Sequence, residues 1–526
     1  MIQRPSQNPA YWTTEFELLP DDIDFLRNYL SERDRPVIES DMVEAFVVER
    51  IRREDQRIRK EVARGKIYDP RERYEIGQAL VFPALDFELA TVVAERPGRN
   101  PEHGEFTVLA VTFEDGRRRE FASRLATPHK LNHKADEEAL VQSDAPESAQ
   151  IMEIYGRELH VNLTDEMLAI EDAPFVNQGR YWSLGELLAD VHVGHLNIAE
   201  AAIDLRGMPL PTIAILPELD LPREIPPALA GFSVDIALAG DRRFVDVGTE
   251  GREWYLRRLL PEAVMTIPRR LQFTSEPYDR SLLSVRYLQM EWELDDEWSE
   301  GAAATASSNV LPRVDLALTY PHRRSGTLPL TPRTSNFFPV REGKRSMITF
   351  VDGRWGKRFT GWVVPEGLYV AGLWDWYEEH TIPVGGIVVL ERTEHPLEVV
   401  VDVKPHRSKR EWVRMARVEN DELRYTLQKQ LVSCDYDEAM FVAEADPAAT
   451  DEFRRRMYDR APSIFDLVDE TAPQLMGLST RGVVHVKTIY SAINLVHRTP
   501  PGPVFAAVLA NPRFQEVGDG EFGMAR

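Results

Sequence analysis

The sequence predicts a multidomain α+β chain built from small units: a strongly bent SH3-like barrel near the N-terminus, two units in which short helices lead into a hairpin, and an open, curled barrel in the second half. Three observations carry this expectation. One phrase is written twice, at 232–256 and 504–524. The hydrophobic pattern turns from a helical period to an alternating one within the first 125 residues. Between 326 and 391, strand and turn signals follow one another with one short helix among them. At 526 residues, 43% apolar and 9% aromatic, the chain has material for roughly three to five folded domains.

Residues 1–65 read as a helical segment. Residues 21–31 and 41–62 look helical; the second carries an apolar stripe through Val43, Val47, Ile51, Ile58 and Val62, and Asp41 with Glu44 has capping-box spacing. Its other face mixes Arg50, Arg53, Arg57 and Lys60 with Glu49, Glu54 and Asp55, the pattern of a solvated helix rather than a phosphate-binding one. Residues 66–131 alternate as short strands, with Asp115-Gly116 as a hairpin turn and Pro97-Gly98 and Asn100-Pro101 marking a loop. This is the pattern of a small SH3- or Tudor-like barrel. The run from Gly77 through Gln78, Ala79, Leu80, Val81 and Phe82 to Pro83, followed by Val92-Val93, resembles the polymerase-binding barrel of CarD-type transcription regulators. That resemblance implies a protein-binding role; a barrel serving only as a spacer has the same pattern.

Residues 132–178 read as a linker region, with 134–150 the charged part, and 263–311 as a helix followed by an acidic linker ending in the flexible stretch 301–309. Residues 291–300 hold six carboxylates in ten positions, which predicts a solvated face or linker.

The repeated phrase organises residues 179–262 and 460–526. In each copy an apolar helix ends in Leu-Ala, a turn leads to Arg-Phe (Arg243-Phe244, Arg513-Phe514), and Val-Gly (Val247-Gly248, Val517-Gly518) precedes a returning aromatic, Trp254 or Phe522. Helical periodicity is also present at 183–191 and 195–205, with a short segment at 211–216. These features suit a winged helix-turn-helix, in which Gly frees the wing turn. With Met208-Pro209 and Pro211 they resemble the HARE-HTH family of bacterial transcription and DNA-modification proteins, the second copy with a loop one residue shorter before its Arg. The helices entering the wings offer poor base-reading chemistry: Ser233 and Asp235 in one, Ala506, Ala507 and Ala510 in the other. The better candidate surface is the helix before the second of these, where Lys487, Ser491, Asn494 and Arg498 share a face opposite Val486, Ile489, Ile493 and Val496.

Residues 312–447 contain a Leu-Pro strand, a Phe-Pro turn, an Asp352-Gly353 turn, a Trp374-Asp375-Trp376-Tyr377 helix and a Val-Gly-Gly turn into an apolar strand. The order resembles the B-three DNA-binding domain, an open pseudobarrel whose two loop arms grip the major groove. The resemblance implies a first arm of Arg333, Thr334, Ser335 and Asn336. The Asp-Gly hairpin adds Arg354, Lys357 and Arg358, with Trp355 read either as a stacking side chain or as a cap on the core. Arginine suits guanine and asparagine adenine. Lys404, Arg407, Lys409, Arg410 and Arg414 form a second basic cluster, in a loop before a strand or helix at Trp412, suited to phosphate contact.

The net charge is −23, yet residues 313–430 hold 19 Lys/Arg against 15 Asp/Glu, leaving −27 for the rest. Non-specific coating of nucleic acid is therefore disfavoured, and contact through one locally basic region is expected. The single Cys434 excludes an intramolecular disulfide and agrees with a reducing compartment. With no signal-like or membrane-length apolar run, a cytoplasmic protein without a membrane partner is expected. The expectation is a transcription-associated protein that binds double-stranded DNA, with no enzymatic activity and no cofactor or metal. The alternative is an interaction scaffold, such as an RNA polymerase accessory, that does not touch DNA. A third reading is a restriction-like nuclease, in which Asp402-Val403-Lys404 with Asp375 or Glu391 would hold a divalent ion. Asp190, His192 and His195 have no recognisable metal spacing, and no nucleotide-binding or acyl-transfer motif is present.

Overall fold

The computed structural model describes residues 5–525 apart from 86, 128–146, 171–173, 250, 301–310 and 342, so most of the charged linker at 134–150 and all of the flexible one at 301–309 lie outside the described residues. The architecture is mixed α and β. It divides into two compact units, residues 1–195 with 219–237 and residues 196–218 with 238–526.

In the first unit, helix α1 (Pro20–Ser31) leads through β1 (Val37–Ile38) into α2 (Glu39–Val62). Ile38 occupies the N-cap of α2, so Asp41 and Glu44 lie inside the helix and form no capping box. Arg50 is not solvated: it is buried, 2.6 Å from Asp22 of α1, with its guanidinium 4.6 Å over the Phe46 ring. Arg50 and Arg53 pair inward with Asp22 of α1, because the helix packs there as well as through its apolar stripe, while Arg57 and Lys60 are exposed. A five-stranded sheet follows, β2 (Lys66–Ile67), β3 (Ala79–Phe82), β4 (Glu88–Pro97), β5 (Thr107–Phe113) and β6 (Arg118–Ser123), in sequential order. The Asp115-Gly116 turn joins β5 to β6, with Gly116 at φ 82°.

The described part of the stretch read as a linker, 147–170 and 174–178, is structured. Helix α3 (Ser148–Ala169) buries Ile151, Leu159, Leu163 and Met167 in one core with Phe46 and Val47 of α2. Strands β7 (Phe175–Gln178) and β8 (Tyr181–Leu184) follow, so Ser183 and Leu184 are strand rather than helix. Strand β8 pairs with both β7 and β1, giving the order β1-β8-β7.

That order recurs twice in the second unit. Helix α4 (Val193–Arg206), β9 (Leu210–Pro211), α5 (Thr212–Ile215), α6 (Pro227–Gly240), β10 (Phe244–Asp246) and β11 (Glu253–Leu256) give the sheet β9-β11-β10; the division between the units cuts α4 and α6. The C-terminal set ends in a sheet of the same order. Side-chain register matches across all three. The returning aromatic faces an aliphatic residue of the first strand, Trp182 with Val37, Trp254 with Leu210, and Phe522 with Val484. The opening Phe faces a residue two positions after that aromatic, Phe175 with Leu184, Phe244 with Leu256, and Phe514 with Met524. The chain therefore carries three helix-and-hairpin units, the first interrupted by the five-stranded sheet between α2 and α3.

The rest of the second unit begins with α7 (Val285–Leu294) and a seven-stranded curled sheet: β12 (Arg313–Ala317), β13 (Thr327–Pro329), β14 (Ser346–Asp352), β15 (Arg358–Val364), β16 (Tyr369–Ala371), β17 (Ile387–Arg392) and β18 (Glu398–Val403). Their order is β12-β17-β18-β14-β15-β16-β13, with β14 and β18 parallel. Helix α8 (Tyr320–Ser325) lies between β12 and β13, and α9 (Trp374–Glu379) between β16 and β17. The seven strands are complete at Val403, short of the expected boundary at 447. The chain then forms a separate three-stranded sheet in which β19 (Pro405–Glu419) and β20 (Glu422–Cys434) make a long ribbon, with β21 (Val442–Glu444) on the other side of β19. Helices α10 (Pro447–Arg460), α11 (Ile464–Gly477), α12 (Val486–Ile493) and α13 (Pro501–Ala510) follow, with the strands β22 (Val483–His485), β23 (Phe514–Gly518) and β24 (Glu521–Met524). Among the described residues no helix is long and apolar enough to cross a membrane.

Candidate nucleic-acid interface

The acidic stretch 291–300 is not a solvated linker. Glu291, Asp295, Asp296 and Glu297 are buried. Asp296 takes both amino groups of the Arg498 guanidinium at 2.8 and 2.9 Å and a hydrogen bond from the Tyr490 hydroxyl at 2.7 Å. Glu297 takes Arg498 at 2.7 Å and sits 3.0 Å from His322 of α8. Burial pushes the Glu297 carboxyl up, but Arg498 and His322 outweigh it and hold it below the usual carboxylate range. The carboxylates thus join the curled sheet to the C-terminal helices.

This removes one predicted DNA surface. Arg498 and Asn494 are buried, and Asn494 donates to the carbonyls of Tyr490 and Thr499. Ser491 donates to the Met440 carbonyl, and Lys487 is half-buried between Asp437 and Glu293. The polar face of α12 meets other backbone and charged groups rather than solvent. It looked solvent-facing because its partners, at 437–440 and 293–297, are far away in sequence.

The predicted first arm is also altered. Arg333 to Asn336 follow the second strand of the sheet, β13, not the first. The Arg333 guanidinium lies 4.9 Å over Trp292, reaches 3.7 Å from Asp295 and donates to the Asp315 carbonyl. Thr334 is buried, with its hydroxyl donating to the Pro329 carbonyl at 2.6 Å. Asn336 is exposed, and its carbonyl accepts from Arg392 at the C-terminal end of β17. Arg392 pairs with Val399 of β18, two positions before Val401, the partner of Asp352.

The hairpin and the base of the ribbon do share one end of the sheet. Gly353 packs so closely on Asp402 that a Cβ there would lie 2.8 Å from the Asp402 Cβ, and three residues later β19 begins. The hairpin is rigid by construction. The Asp352 carboxylate accepts the backbone N–H groups of Arg354 and Trp355 through one oxygen, and the other lies 2.7 Å from His380 Nε2. Burial raises the Asp352 carboxyl, but the His380 hydrogen bond and these N–H groups bring it below its ordinary value. Trp355 stacks on His380 with centroids 4.4 Å apart, so it caps the core on one face and is 53% exposed overall.

Arg354 extends beside Trp355, 5.4 Å from its ring. Lys357 and Arg358 are exposed but face Glu379 at 2.9 Å and Glu398 at 2.8 Å. Arg407, Lys409 and Arg410 are exposed on β19, which is a strand here and not a loop. The pairing of Pro405 with Cys434 and of Lys409 with Val432 leaves extra residues on β19, a bulge that contains Arg407. Arg414 is half-buried and donates to the Glu438 carbonyl, and Lys404 pairs with Asp315. Among the described residues Arg354, Arg407, Lys409 and Arg410 have no carboxylate within ion-pair distance.

Two residues of the nuclease reading, Lys404 and Glu391, are ion-paired with other side chains. Lys404 is tied to Asp315, Glu391 to Arg313 at 2.9 Å, and Asp375 opens helix α9. His192 and His195 stack with centroids 3.8 Å apart. Among the described residues no cluster of three or more His, Cys, Asp or Glu could hold a metal ion. Sequence reasoning missed His380 and Lys429 and left Trp412 as the start of a strand or helix; the local signal for the ribbon was alternation of polar and apolar residues from 422 to 427. No protein-family model, curated protein or solved structure matches the chain.

Proposed function

We propose that the protein is a cytoplasmic, transcription-associated DNA-binding protein that contacts duplex DNA at the hairpin-and-ribbon end of its curled sheet. We read the three helix-and-hairpin units as winged helices of the HARE-HTH kind, the curled sheet as B-three-like, and the five-stranded sheet as a small CarD- or Tudor-like barrel. The observation that carries this reading is four cations, Arg354 on the Asp-Gly hairpin of the curled sheet and Arg407, Lys409 and Arg410 on the ribbon strand that begins three residues after Asp402, with no carboxylate within ion-pair distance among the described residues, in a chain of net charge −23. A two-stranded ribbon is one of the elements that enters a B-form major groove. Arg407, Lys409 and Arg410 would hold phosphates, and Arg354, fixed by the rigid hairpin, would read a base.

Fluorescence anisotropy of the full chain with duplexes drawn from a random pool, measured across a salt series, tests this. Replacing Arg407, Lys409 and Arg410 together by Ala should reduce the slope of log affinity against log salt by roughly 0.9 for each phosphate that is no longer neutralised. Arg354→Ala should flatten the sequence preference while sparing most of the salt dependence. Absence of duplex binding at low salt would end the proposal.

A scaffold reading has its own support. Helices α6 and α13, which precede two of the hairpins, contain no Lys or Arg. The winged helices would then act as packing modules and as docking surfaces for a protein such as RNA polymerase. Pull-down of polymerase by a chain that never binds duplex would favour it.

A further inference from the structure

Strand β20 is the terminal strand of its sheet and is hydrogen-bonded to β19 alone. Its part near the tip is covered, since Leu423 and Tyr425 lie in the C-terminal core. Residues 426–431, with the sequence Thr-Leu-Gln-Lys-Gln-Leu, have no strand or loop along their outer edge among the described residues. Open edges are usually guarded by charge, proline or cover. Here Lys429 is the only charge on that stretch, and the two leucines flanking it are 40% and 64% exposed, Leu427 and Leu431.

The register defines the surface beside this edge. Arg410 faces Leu431, Trp412 faces Lys429, and Arg414 faces Leu427. Trp412 is 60% exposed, with the Lys429 ammonium 5.0 Å over its ring. A strand laid along β20 would therefore meet Leu427, Lys429 and Leu431 on one face, apolar, cationic and apolar in turn. Glu411 is the one carboxylate in the half of the ribbon that carries Arg407, Lys409, Arg410, Arg414 and Lys429.

We propose that the outer edge of β20 at residues 426–431 binds an extended segment of another protein by strand addition, one that alternates apolar and acidic residues. Main-chain hydrogen bonds to the open edge supply affinity, and the Leu-Lys-Leu row supplies selectivity. Charge complementarity selects this occupant over a second copy of the chain, because antiparallel self-pairing centred on Lys429 would set two ammonium groups opposite each other. The inference does not depend on duplex binding through Arg354 and the ribbon base.

The experiment uses the full chain and two labelled peptides of about eight residues, a usual strand length, one alternating Val and Glu and one alternating Val and Lys. The expected result is binding of the Val-Glu peptide alone, with slowed amide exchange at 426–431. Lys429→Glu should reverse the peptide preference by about fivefold or more, and Leu431→Asp should weaken binding about tenfold. Both side chains are exposed, so unchanged thermal transitions are expected to accompany these effects. Equal binding of both peptides, or binding indifferent to Lys429→Glu, overturns the proposal. So does protection of the same amides by a DNA duplex but not by peptide, or a concentration-dependent dimer that Leu431→Asp dissolves while neither peptide binds.

Discussion

Arg498→Met separates a structural from a DNA-binding role for the most deeply placed arginine of the second unit. The side chain is 1% exposed and makes three charged hydrogen bonds of 2.7–2.9 Å, to Asp296 and Glu297, whose own side chains are 0% and 1% exposed. Methionine matches much of its length but leaves two buried carboxylates with no cationic partner other than His322, Asp296 keeping hydrogen bonds from the Tyr490 hydroxyl and the Trp298 backbone N–H. Removing one partner of a buried ion pair costs about 3–5 kcal/mol, because the remaining charge stays desolvated. The expected outcome is a loss of that size in the transition of the second unit, measured by calorimetry because separate cooperative units need not melt together. The loss should shrink as pH falls, since protonation neutralises the orphaned carboxylates. Adding Asp296→Asn and Glu297→Gln should recover part of it at neutral pH. A change below about 1 kcal/mol, with duplex affinity abolished, would refute the reasoning and return Arg498 to the role its sequence context suggested.

Three further outcomes follow from local geometry. Burial pushes the Asp295 carboxyl up to about 6, against the opposing pull of Arg333. Its folded form thus binds a proton more tightly than the unfolded chain, and its contribution to stability is full below about pH 4 and lost as pH rises through about 6. Asp295 also sits in the left-handed region at φ 49°, ψ 48°, which asparagine tolerates well. Asp295→Asn should therefore stabilise the protein at pH 7 by about 1–3 kcal/mol, with the gain vanishing near pH 4; equal pH profiles for the two proteins would contradict this. Gly372 has φ 112°, and a Cβ there would lie 2.5 Å from the Thr360 carbonyl oxygen, so Gly372→Ala should cost about 2–4 kcal/mol. Gly356 at φ 68° has open space around its Cβ position, and Gly356→Ala should cost only about 1 kcal/mol in chemical denaturation.

Local patterns carried much of the secondary structure. The helices at 20–31 and 39–62, the Asp115-Gly116 hairpin and the Asp352-Gly353 turn follow from periodicity and turn chemistry that neighbouring residues determine by themselves. The twice-written phrase was legible for the same reason. Its third occurrence, from Phe175 to Leu184, was obscured because its turn is shorter than that of the copy at 244–256 and the other part of its unit, 20–62, lies before the inserted five-stranded sheet. Of the candidate interface, the basic character of Arg354, Arg407, Lys409 and Arg410 was readable, and the packing of the hairpin at Gly353 on Asp402, three residues before the ribbon, was not.

The sequence by itself determined that this is a mixed α and β chain of several small parts with one locally basic region, because composition, period and turn residues act over a few positions. Only the tertiary structure decided which charges face solvent. An arginine reads the same whether its carboxylate partner is water-screened or buried two hundred positions away, as Arg498 and Asp296 are, and burial depends on long-range packing that no short window of residues contains.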